Sequence, residues 1–214
     1  MTDRRLWEQR QELLLRELNH RVRNTLSVVL AVAHQTQRRS ASLGEFGDRF
    51  VGRLAALARC HDLLMQSHWR GADLETLARE QLVPYLADAP NRFTPSGEPV
   101  ALPANLATPF GLVFHELATN AAKYGSLSVA RGRVALRWSV SHANGDRSLE
   151  VVWRETDGPP VKPPATSGAG SSLLEGVIAD ATVTREFLEP GVICTIVVPL
   201  ARRDGDDDGD GQVS

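Results

Sequence analysis

The chain has 214 residues, 42% of them apolar, and a net charge of −2, which suits an ordinary soluble core in one large domain or two small ones. Its basic residues are dispersed without aromatic interleaving, against a nucleic-acid surface. Its apolar runs fall short of the roughly 18 to 20 residues of a membrane span, and the charged start MTDRRLWEQR has no apolar segment behind it. Cys60 and Cys194 match no metal-ligand spacing and make no disulfide framework. A cytoplasmic protein is expected, with neither a membrane nor a nucleic acid as partner.

From Arg4 to about Arg39 neither proline nor glycine intervenes, and Leu15, Leu18, Val22, Thr25, Val29 and Val32 recur at alternating spacings of three and four. This predicts one long helix with a coiled-coil-like stripe. SASLGEFGD reads as a turn, after which Phe50, Leu54, Leu57, His61 and Leu64 repeat the stripe in a second helix, with His61 among the core residues. Matching stripes across a short connection predict an antiparallel hairpin over residues 1–69. Two copies would cover the remaining apolar surface as a dimeric four-helix bundle.

Past residue 70 come one helix in GADLETLAREQLVPYL and another from about Pro103 to Tyr124. RVALRWSV, SLEVVWRE, TVTREFL and VICTIVV then alternate as strands, with SSLLEGVIA a short helix between them. Helices followed by strands predict an α+β fold, an α/β sandwich over residues 70–200 with helices on one sheet face. Residues 201–214 carry Asp204, Asp206, Asp208 and Gly209 at calcium-loop spacing but lack the closing glutamate; an acidic, disordered, solubilising tail is expected.

Three segments carry chemistry. His20, in HRVRN, lies roughly 200° around the helix from Leu18 and Val22, on an outer face with Arg16, Glu17 and Asn24. His34 and His68 read as plain surface residues. In FHELATNAAKYG, Glu116, Asn120 and Lys123 share one helix face at i, i+4 and i+7, opposite a stripe of Leu106, Phe110, Val113 and Leu117. A carboxylate, a neutral amide and an ammonium in line suit a nucleotide with Mg2+: the amide ligates the metal, the lysine offsets phosphate charge, and the carboxylate assists proton transfer. Finally VVWRETDGPP ends a strand with Glu155 and Gly158, and Gly168 and Gly170 open the next helix, where they read equally as a plain turn or as bare backbone NH groups that can receive phosphate.

Taken together, these segments resemble the HWE subclass of sensor histidine kinases, related to the second histidine-kinase dimerisation family, over nearly all of residues 11–200. HRVRN matches its H-box, HELATNAAKYG its N-box with the diagnostic His115, and Trp153-Arg154-Glu155 its W-x-E signature. The resemblance implies a dimerisation and phosphotransfer hairpin followed by a Bergerat-type ATP-binding domain. His20 would accept the phosphoryl group, with Glu116 or Glu17 taking the proton and Arg21 offsetting charge. ATP and Mg2+ would be held by Asn120, Lys123, Gly158, Gly168, Gly170 and one of Glu155, Thr156 and Asp157, with Glu155 ranked first by its place in W-x-E. A response-regulator receiver domain would be the acceptor, a second copy the dimer partner, and a separate protein the source of the signal. The glycine box departs from the family pattern, with Ala169 and Ser172 where an aromatic residue and an arginine are usual. That departure motivates one rival reading, a phosphotransfer or scaffold protein with a non-catalytic ATP-binding domain; a second rival is a binding module that sequesters a regulator through the nucleotide domain, with His20 irrelevant.

Overall fold

The computed structural model describes residues 2–86, 89–143, 146–160, 178, 180–189 and 191–200. The expected SSLLEGVIA helix, Gly168, Gly170 and the tail 201–214 lie outside them. Two compact units emerge, Met1–Ala55 and Ala56–Ser214.

The first unit holds α1 (Thr2–Gln37) and the beginning of α2 (Leu43–Gln66). Helix α2 starts at Leu43, earlier than the glycines of SLGEFGD imply, because Ser42 and Glu45 form a capping pair. Glu45 N–H donates to Ser42 Oγ at 3.1 Å and Ala41 N–H donates to Glu45 Oε2 at 2.7 Å, so orphan donors at the helix start are satisfied. Arg53 is buried and donates from Nη1 to Thr36 Oγ1 at 2.7 Å, which in turn donates to Val32 O. Beyond this buried patch, Leu15, Val22, Leu26 and Leu30 of α1 and Val51 and Leu54 of α2 are exposed.

The second unit begins inside α2. Ala56, Cys60 and Leu64 are buried, the last two in a core shared with α3 (Leu74–Leu86) and α4 (Ala104–Lys123). Gln81 of α3 accepts from Arg59 Nε and Nη2 at 3.2 and 3.0 Å and donates to Ala56 O. The expected division at residues 69/70 falls at the end of α2, whereas compaction divides the chain within it, because these last turns pack on α3 and α4. The face they bury runs through Ala56 and Cys60, one residue out of phase with Leu57 and His61, and rejoins the expected line at Leu64. His61 accordingly is exposed, edge-on to Trp69 with ring centroids 5.2 Å apart, and is not the core histidine that periodicity predicts.

The expected strands are present, joined by three short ones that the sequence reading omits: β1 (Ala72–Asp73), β2 (Phe93–Ser96) and β3 (Ala101–Leu102). Strands β4 (Arg133–Ala143), β5 (Asp146–Thr156), β6 (Thr182–Leu188) and β7 (Gly191–Leu200) form a five-stranded sheet with β2 in the order β2-β4-β5-β7-β6. All its pairings are antiparallel except β2 with β4. Leu136, Leu149, Val151, Trp153 and Ile196 are fully buried in one core with Phe110 and Phe114 of α4, so the helices cover one sheet face, as expected. Alternation puts Glu155 on that same inward row of β5. Among the described residues no helix is long and apolar enough to cross a membrane.

Gly111 of α4 faces the Cys60 sulfur so closely that an added Cβ would collide with it. Gly111→Ala should cost about 1–3 kcal/mol in urea unfolding, the usual penalty of overpacking, and Gly111→Ala with Cys60→Ala should recover part of that loss. Burial pushes the Cys60 thiol up to about 12, outweighing nearby Arg59, and also raises that of Cys194. Both thiols should resist iodoacetamide in the native protein and react once it is unfolded, read by mass spectrometry. The contribution of Cys60 to stability is complete below the ordinary value of 9.0 and is lost as pH rises from there toward 12.

Candidate active site

Helix α4 follows from its apolar spacing. Phe110, Phe114, Leu117, Ala118 and Ala121 are buried, while Glu116 is half-buried and Asn120 and Lys123 are exposed. The helix stops at Lys123, where Tyr124 and Gly125 donate their N–H groups to Asn120 O at 2.8 and 3.1 Å. His115 lies on the buried side. The three residues that the spacing puts on one face are therefore carried by a rigid, core-anchored element.

Immediately after α4 the chain passes through Ser126, which is 1% exposed and held at both ends of its backbone. Its N–H donates to Glu155 Oε2 at 2.8 Å. Its carbonyl accepts from Arg92 Nη2 at 3.2 Å, and the same guanidinium also donates to Val129 O at 2.5 Å and, through Nε, to Gly132 O at 2.8 Å. The other Glu155 oxygen, Oε1, accepts from the Trp153 indole N–H at 3.2 Å. Glycines surround this point because nothing larger fits. A Cβ on Gly158 would stand 2.9 Å from Ser126 Cα, one on Gly132 would strike the Ser126 carbonyl, and one on Gly125 would strike Glu155 Oε2.

This arrangement ties the end of β5 to the end of α4, so Glu155 and Gly158 stand beside the turn that leaves Asn120 and Lys123. Both Glu155 oxygens have partners within the protein and the residue is 4% exposed. Next to it Thr156 is half-buried, and Asp157 is exposed with a left-handed backbone, φ 57°. Its carbonyl accepts from Arg131 Nε at 3.3 Å. Bare glycine backbone with an exposed amide and ammonium nearby is a setting that can receive a phosphorylated ligand.

His20 belongs to the other unit. It is exposed on α1, as its angle from the stripe predicts, and its Nδ1 lies 3.4 Å from the Asn24 side-chain amide. Sequence reasoning misses Arg92 and Ser126. Arg92 follows a proline and an asparagine ahead of a short strand and has no periodic or motif signal; its partners lie 34 to 40 residues further along. For Ser126 the only trace is the run of small residues after Tyr124.

A buried carboxylate facing two N–H donors cannot be replaced by an amide without setting one donor against another. Glu155→Gln should therefore lower stability by about 1–3 kcal/mol. Arg92→Ala removes a charged donor from three carbonyls, although Ser126 O and Val129 O keep the N–H groups of Val129 and Gly132 at 3.4 and 3.2 Å, and should cost about as much; urea unfolding of each variant checks both values.

The model of the HWE histidine kinase family matches residues 17–99. Blue-light-activated histidine kinases of Brucella ovis and Brucella abortus are 32% identical to the chain over 203 residues, covering 94% of it and 42% of the relative. That of Brucella anthropi is 30% identical over 203 residues, covering 94% and 41%. The chain thus spans less than half the length of the curated relatives it matches. Among solved structures, the histidine kinase domain of the Erythrobacter litoralis EL346 blue-light activated histidine kinase is similar with a TM-score of 0.54 at 19% identity, over 85% of this chain and 94% of that one. A longer structure of the same protein gives 0.55 at 19% identity, over 87% and 59%. At that identity the likeness establishes the fold of a histidine kinase domain. Family match, relatives and fold agree, and the chain belongs to the HWE histidine kinase family.

Proposed function

We propose that the chain is an ATP-dependent protein histidine kinase of a two-component system, which phosphorylates its own His20 and passes the phosphoryl group to an aspartate of a response-regulator receiver domain. The observation that carries the reading is His20 itself: an imidazole exposed on α1, off the apolar stripe, with a polar neighbour and no packing role. Supporting it is the α4 face that presents Asn120 and Lys123 beside the locked turn at Ser126. In this reading residues 1–69 form the dimerisation and phosphotransfer hairpin, residues 70–200 the Bergerat-type ATP-binding domain, and residues 201–214 the acidic tail.

Phosphoryl transfer asks mainly for positioning and charge neutralisation. The exposed Asn120 amide suits Mg2+, which takes few protein ligands and completes its shell with phosphate oxygens and water. When bound, the ion would neutralise charge on the phosphates. Lys123 adds a cation one turn further along α4, and Gly158, with Gly168 and Gly170, offers backbone to the nucleotide. The adenine contact belongs to Glu155, Thr156 or Asp157; Glu155 serves it only while also holding Ser126. Glu116, half-buried on the same helix, is the proton-handling carboxylate of the site. Histidine needs no strong base to act as a nucleophile near neutral pH.

The exposed leucines and valines of α1 and α2 are covered, in this reading, by a second copy, giving the dimeric four-helix bundle. The receiver domain docks on the hairpin near His20. ATP as donor places the reaction in the cytoplasm.

Incubation with γ-labelled ATP and Mg2+ tests the reading. Wild type should acquire acid-labile, alkali-stable label, and His20→Ala and Asn120→Ala should each lose at least about a hundredfold of it, as removal of a nucleophile or of a metal ligand does. Nucleotide binding without label would instead favour the phosphotransfer or scaffold reading, which the GAGSS glycine box motivates.

A further inference from the structure

Asn24 stands one helical turn after His20, and its side-chain amide lies 3.4 Å from His20 Nδ1. Both side chains are exposed. Burial does not force them together; the i,i+4 geometry of α1 does. A neutral imidazole carries one N–H and one lone pair, and the partner on Nδ1 decides which nitrogen has which. If the Asn24 Nδ2–H donates to Nδ1, the ring proton resides on Nε2, which then has no lone pair to offer. A half-turn of the terminal amide brings Oδ1 to the same position. Nδ1–H then donates to it, and the lone pair resides on Nε2, the ring nitrogen farther from the backbone and open to an incoming phosphate.

We propose that Asn24 is a positioning residue that sets the tautomer of His20, accepting Nδ1–H through Oδ1 and so making Nε2 the phosphoryl acceptor. The proposal rests on the kinase reading above. In the step it serves, the Nε2 lone pair forms the N–P bond to the γ-phosphorus. The bond from that phosphorus to the bridging oxygen breaks, and its electron pair leaves with ADP. Positive charge grows on the ring while its proton is still on Nδ1, where the amide oxygen stabilises it; the proton then passes through water to Glu116, the proton-handling carboxylate of that reading. The interaction strengthens as charge develops, which is the condition for lowering a barrier instead of merely binding.

The distinguishing variants are Asn24→Leu, of similar size without hydrogen bonding, and Asn24→Asp, whose ionised carboxylate can only accept. Neither disturbs a buried contact, and circular dichroism checks that α1 is retained. Label on wild type should reside on Nε2, identified by phosphorus and nitrogen NMR of the phosphohistidine. Asn24→Leu should lower the initial rate about tenfold with KM for ATP unchanged, the size expected for one charge-assisted hydrogen bond. Asn24→Asp should keep the Nε2 product and recover the rate to within about twofold, since an acceptor suffices. Label on Nδ1, an inactive Asn24→Asp, or an Asn24→Leu that matches wild type would each overturn the tautomer role while leaving the kinase reading intact. A wild-type protein that binds ATP but never labels His20 would bring down the kinase reading, and this proposal with it.

Discussion

Glu155 places a carboxylate on the inward row of β5, in line with the buried Leu149, Val151 and Trp153, and the end of α4 is arranged around answering it. A buried carboxylate is tolerated only when its oxygens are met by donors. Here one donor is the indole of Trp153, two residues back on the same strand face, and the other is the backbone N–H of Ser126, at the end of a different element. The first makes the W-x-E spacing a physical unit, since residues i and i+2 of a strand share a face. The second converts that unit into a tertiary tie between β5 and α4. Arg92 completes it from the opposite side by taking the Ser126 carbonyl. Trp153, Ser126 and Arg92 thus help to hold the end of the helix that carries Asn120 and Lys123.

The two units solve their packing differently. In the second unit the apolar residues are consumed by the sheet and its covering helices, and the buried Gln81 amide is met by Arg59 and by Ala56 O. The α1 and α2 segment leaves leucines and valines on its surface, with the buried Arg53 donating to Thr36 near the turn. That pattern is expected of a helical pair whose core is completed by something outside the chain.

Much of this is legible in the sequence where one physical signal dominates. The α4 spacing, the alternation along β4 and β5 and the outward angle of His20 are each carried by a period that tertiary structure does not override. The phase of α2 is not, and the reason is residue size. Large apolar side chains draw the eye to Phe50, Leu54 and Leu57, whereas close approach to α3 and α4 selects small ones, Ala56 and Cys60, opposite Gly111. The early start of α2 is hidden by Gly44 and Gly47, whose helix-weakening effect the Ser42–Glu45 cap offsets. Strand β2 has only four residues, one of them Pro95, and exists because β4 offers it an edge. Glu155 reads as a ligand by motif; that it also holds Ser126 depends on a partner 29 residues away.

The glycines at 125, 132 and 158 abut Ser126 or its Glu155 partner with no room for a methyl group. In an exhaustive substitution map of this protein they would stand out as an intolerant block rivalling His20 and Asn120 in severity. A map scored by activity alone would therefore draw the boundary of the reactive centre too wide, enclosing residues such as Gly125 and Gly132 whose contribution is the absence of a side chain. Scoring the same library for abundance as well as activity would separate the two classes: the glycine block would fall in both, and the residues that meet the nucleotide or the phosphoryl group only in the second.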